Sequence, residues 1–251
     1  GMIIGLGNAA QWVALAIGFY ATFSWGQSLL LRDPPTAALI IKTRSWLLFV
    51  LGIASFSFSM YGLAYFTAPF FIRYHHVSIG ELGFTLGGIT AAAGFMGVTI
   101  AGALADYWRA RDPRGRLFVV IIFALVPIPF GLWMLYTPST TLAFWLNGVV
   151  VFCGASWLGV GGSTVTDLVL PRMRGRATAV YILTVTLLGL ALGPFTVGLV
   201  SDLTGELRNG LIAALSANLG AAVLVAVAAL YLVSDERTLL QRARDAGEVG
   251  V

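Results

Sequence analysis

Seven long apolar runs constrain the fold of this chain more than any other feature. Each is about 20 residues or longer, the length that an α-helix needs to cross roughly 30 Å of hydrocarbon. The runs cover residues 3–31, 46–72, 82–105, 117–136, 142–166, 177–201 and 209–233. Charged residues make up only 10% of the chain, whereas a soluble domain has about a quarter. The sequence therefore predicts an all-α, polytopic membrane protein with seven transmembrane helices.

Basic residues alternate between the loops and predict an orientation. Of the 15 Lys and Arg residues, 13 lie in the loops after the first, third and fifth runs or in the C-terminal tail. Only Arg73 and Arg208 lie in the other loops. Because basic loops resist translocation, the N-terminus is expected outside and the C-terminus in the cytoplasm. The net charge of +4 then reflects topology, and no nucleic-acid partner is predicted.

Charged and catalytic types of side chain are scarce inside the apolar runs. None of the runs holds an Asp, Glu, Lys, Arg or His, so this part of the chain has no evident proton relay. His75 and His76 have no nearby carboxylate or cysteine partner, so no metal site is predicted. Paired carboxylates, His clusters and activated nucleophiles are missing as well, which argues against an enzyme. No cofactor is predicted.

A seven-helix receptor or retinal protein would share the predicted orientation. A retinal Schiff base requires a lysine inside a late helix, but the only lysine, Lys42, lies in a loop. This excludes the retinal protein and leaves the receptor as an alternative. A half-size membrane protein without transport activity is a further alternative.

The stretch 102–116, GALADYWRARDPRGR, carries the first family resemblance. Gly102, Leu104 and Asp106, followed by four arginines, resemble the loop motif G-x-L-a-D-R-x-G-R-R of the major facilitator superfamily. Tyr107 and Ala110 depart from that motif. The resemblance implies that such a charged cluster latches one conformation of an alternating-access cycle. The residues expected in this latch are Gly102, Asp106, Arg109, Arg174 and Arg176. Asp106 is expected to face the start of the sixth run near Arg176, and Asp167 is a further candidate for the cluster.

Three other stretches resemble the spinster-like group of the same superfamily. Residues 171–202 contain P-R-M-R-G-R-A, G-L-A-L-G-P and G-L-V-S-D, which resemble the penultimate helix of these permeases. Residues 61–75, YGLAYFTAPFFIRYH, resemble their seventh helix, and RDPP at 32–35 resembles the exit of their sixth. The chain is therefore similar to helices six to twelve of a twelve-helix transporter, its C-terminal half.

The resemblance divides the chain into four parts. Residues 1–35 correspond to the sixth helix with its exit, 36–45 to part of the central cytoplasmic loop, 46–233 to the six-helix C-terminal bundle, and 234–251 to a cytoplasmic tail. A fragment of a longer product, one piece of a split transporter and a homodimer all remain open. The expected partners are the lipid bilayer, a small-molecule substrate and the missing N-terminal six-helix half.

The resemblance also implies a midplane cavity between the halves, lined by the second and fifth runs. The candidate cavity residues are Ser57, Tyr61, Tyr65, Asn147, Ser156 and Trp157. Hydroxyls and aromatic rings without fixed charge suit a small, amphipathic or lipid-like substrate. The expected function is transport of such a molecule, with efflux as the working hypothesis. The Arg-rich and Lys-poor composition favours a bacterial inner membrane.

A stripe of small residues in the sixth run predicts close helix packing. Gly189 and Gly193 are four residues apart on one helix face and are followed by Pro194 and Gly198. Without side chains at these glycines, the backbone of another helix can approach closely.

Overall fold

The computed structural model describes residues 26–248 together with the single residues 17, 20 and 24. The first predicted span, 3–31, lies largely outside the described residues. Six other helices are long and apolar enough to cross a membrane: α2 (Arg44–His75), α3 (Ile79–Arg109), α4 (Gly115–Tyr136), α5 (Thr140–Asp167), α6 (Pro171–Thr204) and α7 (Leu207–Arg237). Each overlaps one of the remaining predicted spans. The prediction of an all-α membrane bundle is thereby confirmed.

Consecutive long helices run in opposite directions, since the loops between them are short. The starts of α2, α4 and α6 and the ends of α3, α5 and α7 therefore lie at one end of the bundle. We call this the basic end. Two short helices, α1 (Pro34–Lys42) and α8 (Leu239–Asp245), also lie there. Their side chains Leu39, Ile40 and Ala243 are buried in one core cluster with Trp46 of α2.

The segment 36–45, which the sequence assigns to a loop, contains most of α1. Asp33 caps this helix, because its Oδ1 accepts a hydrogen bond from the backbone N–H of Thr36 at 3.3 Å. Pro34 occupies the first helical position, where its fixed φ and missing N–H cost nothing. The two prolines that end the preceding helical turn thus also start a new helix.

Close glycine contacts set the spacing of α2 against α6 and α7. A Cβ on Gly189 of α6 would lie 3.0 Å from the Ser57 Cβ, and one on Gly193 would overlap the carbonyl oxygen of Phe58. A Cβ on Gly52 of α2 would lie 2.6 Å from a methyl group of Val225 in α7. These contacts allow the helix backbones to approach closely.

The six long helices are unequally buried. In α3 and α6 only 22% of the most apolar 18-residue stretch is buried within the bundle, compared with 44% to 56% in the other four. Both helices also contain a π-helical segment, Leu82–Leu86 in α3 and Thr186–Ala191 in α6. The two helices therefore present large apolar faces that the described part of the chain does not cover.

Candidate functional site

A cavity of about 200 Å³ opens between α2, α3 and α5. The α2 residues repeat at helical spacing, as do those of α5, so each helix turns one face toward the cavity. The lining consists of Met60, Tyr61, Leu63, Ala64 and Thr67 from α2, Thr90 from α3, and Asn147, Val150, Val151, Gly154, Ala155, Trp157 and Leu158 from α5. Most of this surface is apolar.

Three of the six candidate cavity residues line this space: Tyr61, Asn147 and Trp157. The Tyr61 and Trp157 rings meet edge to face, with centroids 6.0 Å apart, and so join α2 to α5. The Asn147 side chain is only 2% exposed, and its Nδ2 has no hydrogen-bond partner. The cavity therefore combines an aromatic wall with one buried amide whose nitrogen is unpartnered.

The other three candidate cavity residues lie elsewhere. Tyr65, one turn beyond Tyr61, is 71% exposed and is not among the lining residues. Ser57 is fully buried, and its Oγ donates to the carbonyl oxygen of Ala54 at 2.9 Å, with Val185 O of α6 at 3.4 Å. Ser156 is fully buried too, beside the break in α5 at Ala155. Ser57 is thus a contact between α2 and α6 beneath Gly189.

Several lining residues were not singled out from the sequence. Met60 is in contact with α5, since a Cβ on Gly154 would overlap its sulfur atom. Thr67 lies in the same face, and its hydroxyl donates to Leu63 O at 2.7 Å. The spacing 147, 151, 154 and 158 along α5 is the signal that could have identified this face, because it matches one side of an α-helix.

A network of five charged side chains lies at the basic end, where α3, α4, α5 and α7 meet. Arg116 is at its centre: Nη2 lies 2.8 Å from Asp106 Oδ1, and Nη1 lies 2.5 Å from Asp167 Oδ2. Arg109 Nη2 lies 2.8 Å from Glu236 Oε1 and 3.7 Å from Asp167 Oδ2. The network thus ties the ends of four long helices together.

This network includes only part of the predicted latch. Asp106 and Arg109 belong to it, but the sequence placed Asp106 beside Arg176 rather than Arg116. The tight turn between α3 and α4 explains the difference, because Gly115 packs directly on the backbone of Trp108. Arg116 then starts α4 within reach of Asp106. Gly102, one turn before Asp106, has open space at its Cβ position.

Arg174 and Arg176 lie at the start of α6, away from Asp106. The Arg174 side chain is exposed, while Arg176 forms an ion pair with the buried carboxylate of Asp33. Arg172, on the same turn, lies 3.4 Å from Asp33 and also pairs with Glu248 in the tail. A second charge cluster, Asp33, Arg172, Arg176 and Glu248, therefore fastens α1 and the tail to α6.

The small-residue stripe of α6 faces α2. Gly189 and Gly193 pack against Ser57, Phe58 and the backbone N of Gly62. Gly198 has only an ordinary contact, because its Cβ would lie 3.6 Å from Phe66 Cζ. Pro194 is half-buried beside Gly193.

The chain is similar in sequence and in fold to known transporters. No family model matches the chain. The chain is 33% identical to an MFS-type efflux pump of Mycolicibacterium smegmatis (strain ATCC 700084 / mc(2)155) over 195 residues, 77% of this chain and 44% of the relative. It is 30% identical to Protein spinster homolog 1 of Xenopus laevis over 120 residues, 46% of this chain and 22% of the relative.

Two crystal structures of a bacterial homolog to the human lysosomal transporter Spinster share the fold. The inward-facing unoccupied structure matches with a TM-score of 0.62 and 26% identity, over 82% of this chain and 50% of the other. The inward-facing occupied structure matches with a TM-score of 0.61 and 26% identity, over 81% and 51%. The chain thus spans about half the length, or less, of the relatives it matches. The chain is similar to transporters of the major facilitator superfamily and, among them, to spinster proteins.

Proposed function

We propose that the chain is the C-terminal half of a secondary transporter that moves a small, amphipathic or lipid-like molecule by alternating access. The observation that carries this proposal is the cavity between α2 and α5, with its apolar lining, the Tyr61–Trp157 pair and the buried Asn147 amide. Apolar pockets with a few placed polar groups are the usual form of a small-molecule site. An MFS-type efflux pump is among the relatives, which supports transport out of the cytoplasm.

A second six-helix half is the proposed partner. The uncovered apolar faces of α3 and α6 and the length of the relatives support this. The partner half is expected in the same polypeptide, so a mass near twice 26.7 kDa is expected for the native product in mass spectrometry of the source membrane. A native product of 26.7 kDa would instead require a separate partner chain or a homodimer.

The proposed orientation places the basic end on the cytoplasmic side of a bacterial inner membrane. The unequal distribution of the basic residues supports it. In this orientation the network around Arg116 is proposed as the latch that stabilises one conformation of the transport cycle. Asp106, Arg109 and Asp167 are the members of this network that the sequence suggested, and Arg116 and Glu236 are added by their contacts.

A transport assay tests the proposal. The full-length gene product is reconstituted in liposomes, and transport of an uncharged NBD-labelled monoacylglycerol is followed by fluorescence. Trp157→Ala, which removes one wall of the cavity, is expected to reduce transport severely. Trp133→Ala is the matched control, because Trp133 of α4 is 56% exposed and does not line the cavity. Equal transport by Trp157→Ala and the parent protein would refute the assigned site.

A further inference from the structure

Asn147 is the one polar side chain that is both buried in the cavity wall and lacking a bond. Among the described lining residues, Thr67 is the other buried polar side chain, and its hydroxyl already donates to Leu63 O. Thr90 is exposed, and Tyr61 is half-buried at the aromatic wall. Buried polar groups in native proteins almost always have a hydrogen-bond partner. The unpartnered Nδ2 of Asn147 therefore requires one.

The described lining of the cavity offers this amide few partners. Leu63, Val150 and Val151 line the same cavity, and their side chains have no hydrogen-bonding atoms. A side-chain amide carries two donors on nitrogen and an acceptor oxygen, and rotation about its last bond exchanges their positions. Asn147 can thus present either group to a molecule in the cavity.

The described lining of the cavity also disfavours a charged substrate. None of its described lining residues is Asp, Glu, Lys, Arg or His. A charged group entering this space would lose its hydration without gaining an ionic partner, which is costly in an apolar environment. An uncharged polar group loses much less and can recover that loss through one hydrogen bond.

We infer that Asn147 is the specificity-determining residue of this cavity and that it selects an uncharged amphiphile whose carbonyl or hydroxyl oxygen accepts a hydrogen bond from Nδ2. The apolar body of this molecule lies against Met60, Val150 and Leu158, beside the Tyr61–Trp157 pair. The inference rests on the proposed function in taking the cavity as the substrate site.

Binding is the measurement that tests this inference. The full-length protein in lipid nanodiscs is titrated with radiolabelled N,N-dimethyldodecanamide, which is uncharged and carries only an acceptor oxygen. Empty nanodiscs give the background. Saturable binding is expected, and Asn147→Leu should weaken it about tenfold, the value of one hydrogen bond. Asn147→Ala, which removes the amide without adding bulk, should give the same loss.

Asn218→Leu is the matched control variant. Asn218 of α7 is also fully buried with an unpartnered amide, but it is not among the residues that line the cavity. The Asn218→Leu variant should bind the amide probe with the same affinity as the parent protein. Dodecanoate and dodecyltrimethylammonium, with the same chain length and opposite charges, should bind at least about tenfold more weakly than the amide.

Three binding results would overturn the inference. They are binding of the amide by Asn147→Leu and Asn147→Ala at parental affinity, equal affinity for either charged analogue, and lack of saturable amide binding. Failure of the proposed function gives a different result: amide binding that depends on Asn147, with no transport of any amphiphile in liposomes. Transport that persists unchanged in the Asn147 variants, by contrast, would count against the inference alone.

Discussion

Gly193 of α6 and Phe58 of α2 are in backbone contact: a Cβ on Gly193 would overlap the Phe58 carbonyl oxygen and lie 3.1 Å from the Gly62 nitrogen. Backbone atoms cannot move aside as the end of a flexible side chain can. Gly193→Ala is therefore expected to lower the free energy of unfolding by about 1–3 kcal/mol, the usual cost of overpacking. Thermal unfolding of the purified protein in detergent measures this.

Gly198→Ala on the same helix is the control for Gly193→Ala. Its new methyl group would lie at an ordinary 3.6 Å from Phe66 Cζ. Its stability is expected to stay within about 0.5 kcal/mol of the parent protein. Equal effects of the two substitutions would contradict the close crossing of α2 and α6.

Gly97 and Gly102 of α3 are expected to respond differently to alanine. A Cβ on Gly97 would overlap the carbonyl oxygen of Phe152 in α5, whereas Gly102 has open space. Gly97→Ala should therefore destabilise the protein by about 1–3 kcal/mol, while Gly102→Ala should leave the melting temperature unchanged. A large loss of stability in Gly102→Ala would show that α5 approaches the loop motif more closely than the structure indicates.

Arg116→Gln is expected to destabilise the basic end. The Arg116 side chain is 16% exposed and that of Asp167 is 33% exposed, so the pair is partly screened by solvent. A loss of about 1 kcal/mol is expected, at the upper end of the range for surface pairs. A double-mutant cycle with Asp167→Asn isolates the coupling between the two side chains.

Arg111→Gln is the control for Arg116→Gln. Arg111 is exposed on the same loop, and its guanidinium lies over the ring of its neighbour Tyr107, at 3.6 Å from the centroid. Loss of the Arg111 guanidinium should change the free energy of unfolding by less than about 0.5 kcal/mol. A coupling energy of zero between Arg116 and Asp167 would show that their contact does not stabilise the bundle.

Asn218→Leu is expected to stabilise the protein by about 1 kcal/mol. Both polar atoms of the Asn218 amide are buried without a partner, and an apolar residue of similar size avoids that desolvation cost. The melting temperature of this variant is measured beside that of Ser216→Ala, a control at an exposed position on the same helix. A lower melting temperature for Asn218→Leu would mean that the amide has a stabilising partner in the native protein.

The long helices follow from the sequence because a membrane imposes a minimum apolar length. The predicted span 117–136 corresponds to α4 (Gly115–Tyr136), and 142–166 to α5 (Thr140–Asp167). Helix α1 could not be predicted in this way. It has only nine residues, and its prolines stop one helix and start another, which hydropathy does not distinguish.

The types of residue that line the cavity could be predicted from the sequence, but the side of α2 that faces the cavity could not. Tyr61 and Tyr65 are four residues apart, yet only Tyr61 lines the cavity. The orientation of α2 is set by Gly52 and Gly62 against α7, a relationship between positions more than 150 residues apart. Glu236 joins the charge network for the same reason, since its pairing with Arg109 depends on how α3 and α7 both pack against α4.

The cluster of Asp33, Arg172, Arg176 and Glu248 has a mechanical consequence. Asp33 precedes α1 and Glu248 lies in the C-terminal tail, and both carboxylates are bound to arginines in the first turns of α6. A tilt of α6 relative to α2 would therefore strain its ion pairs to α1 and to the tail together. Helix α6 is thereby the common attachment of α1 and the C-terminal tail.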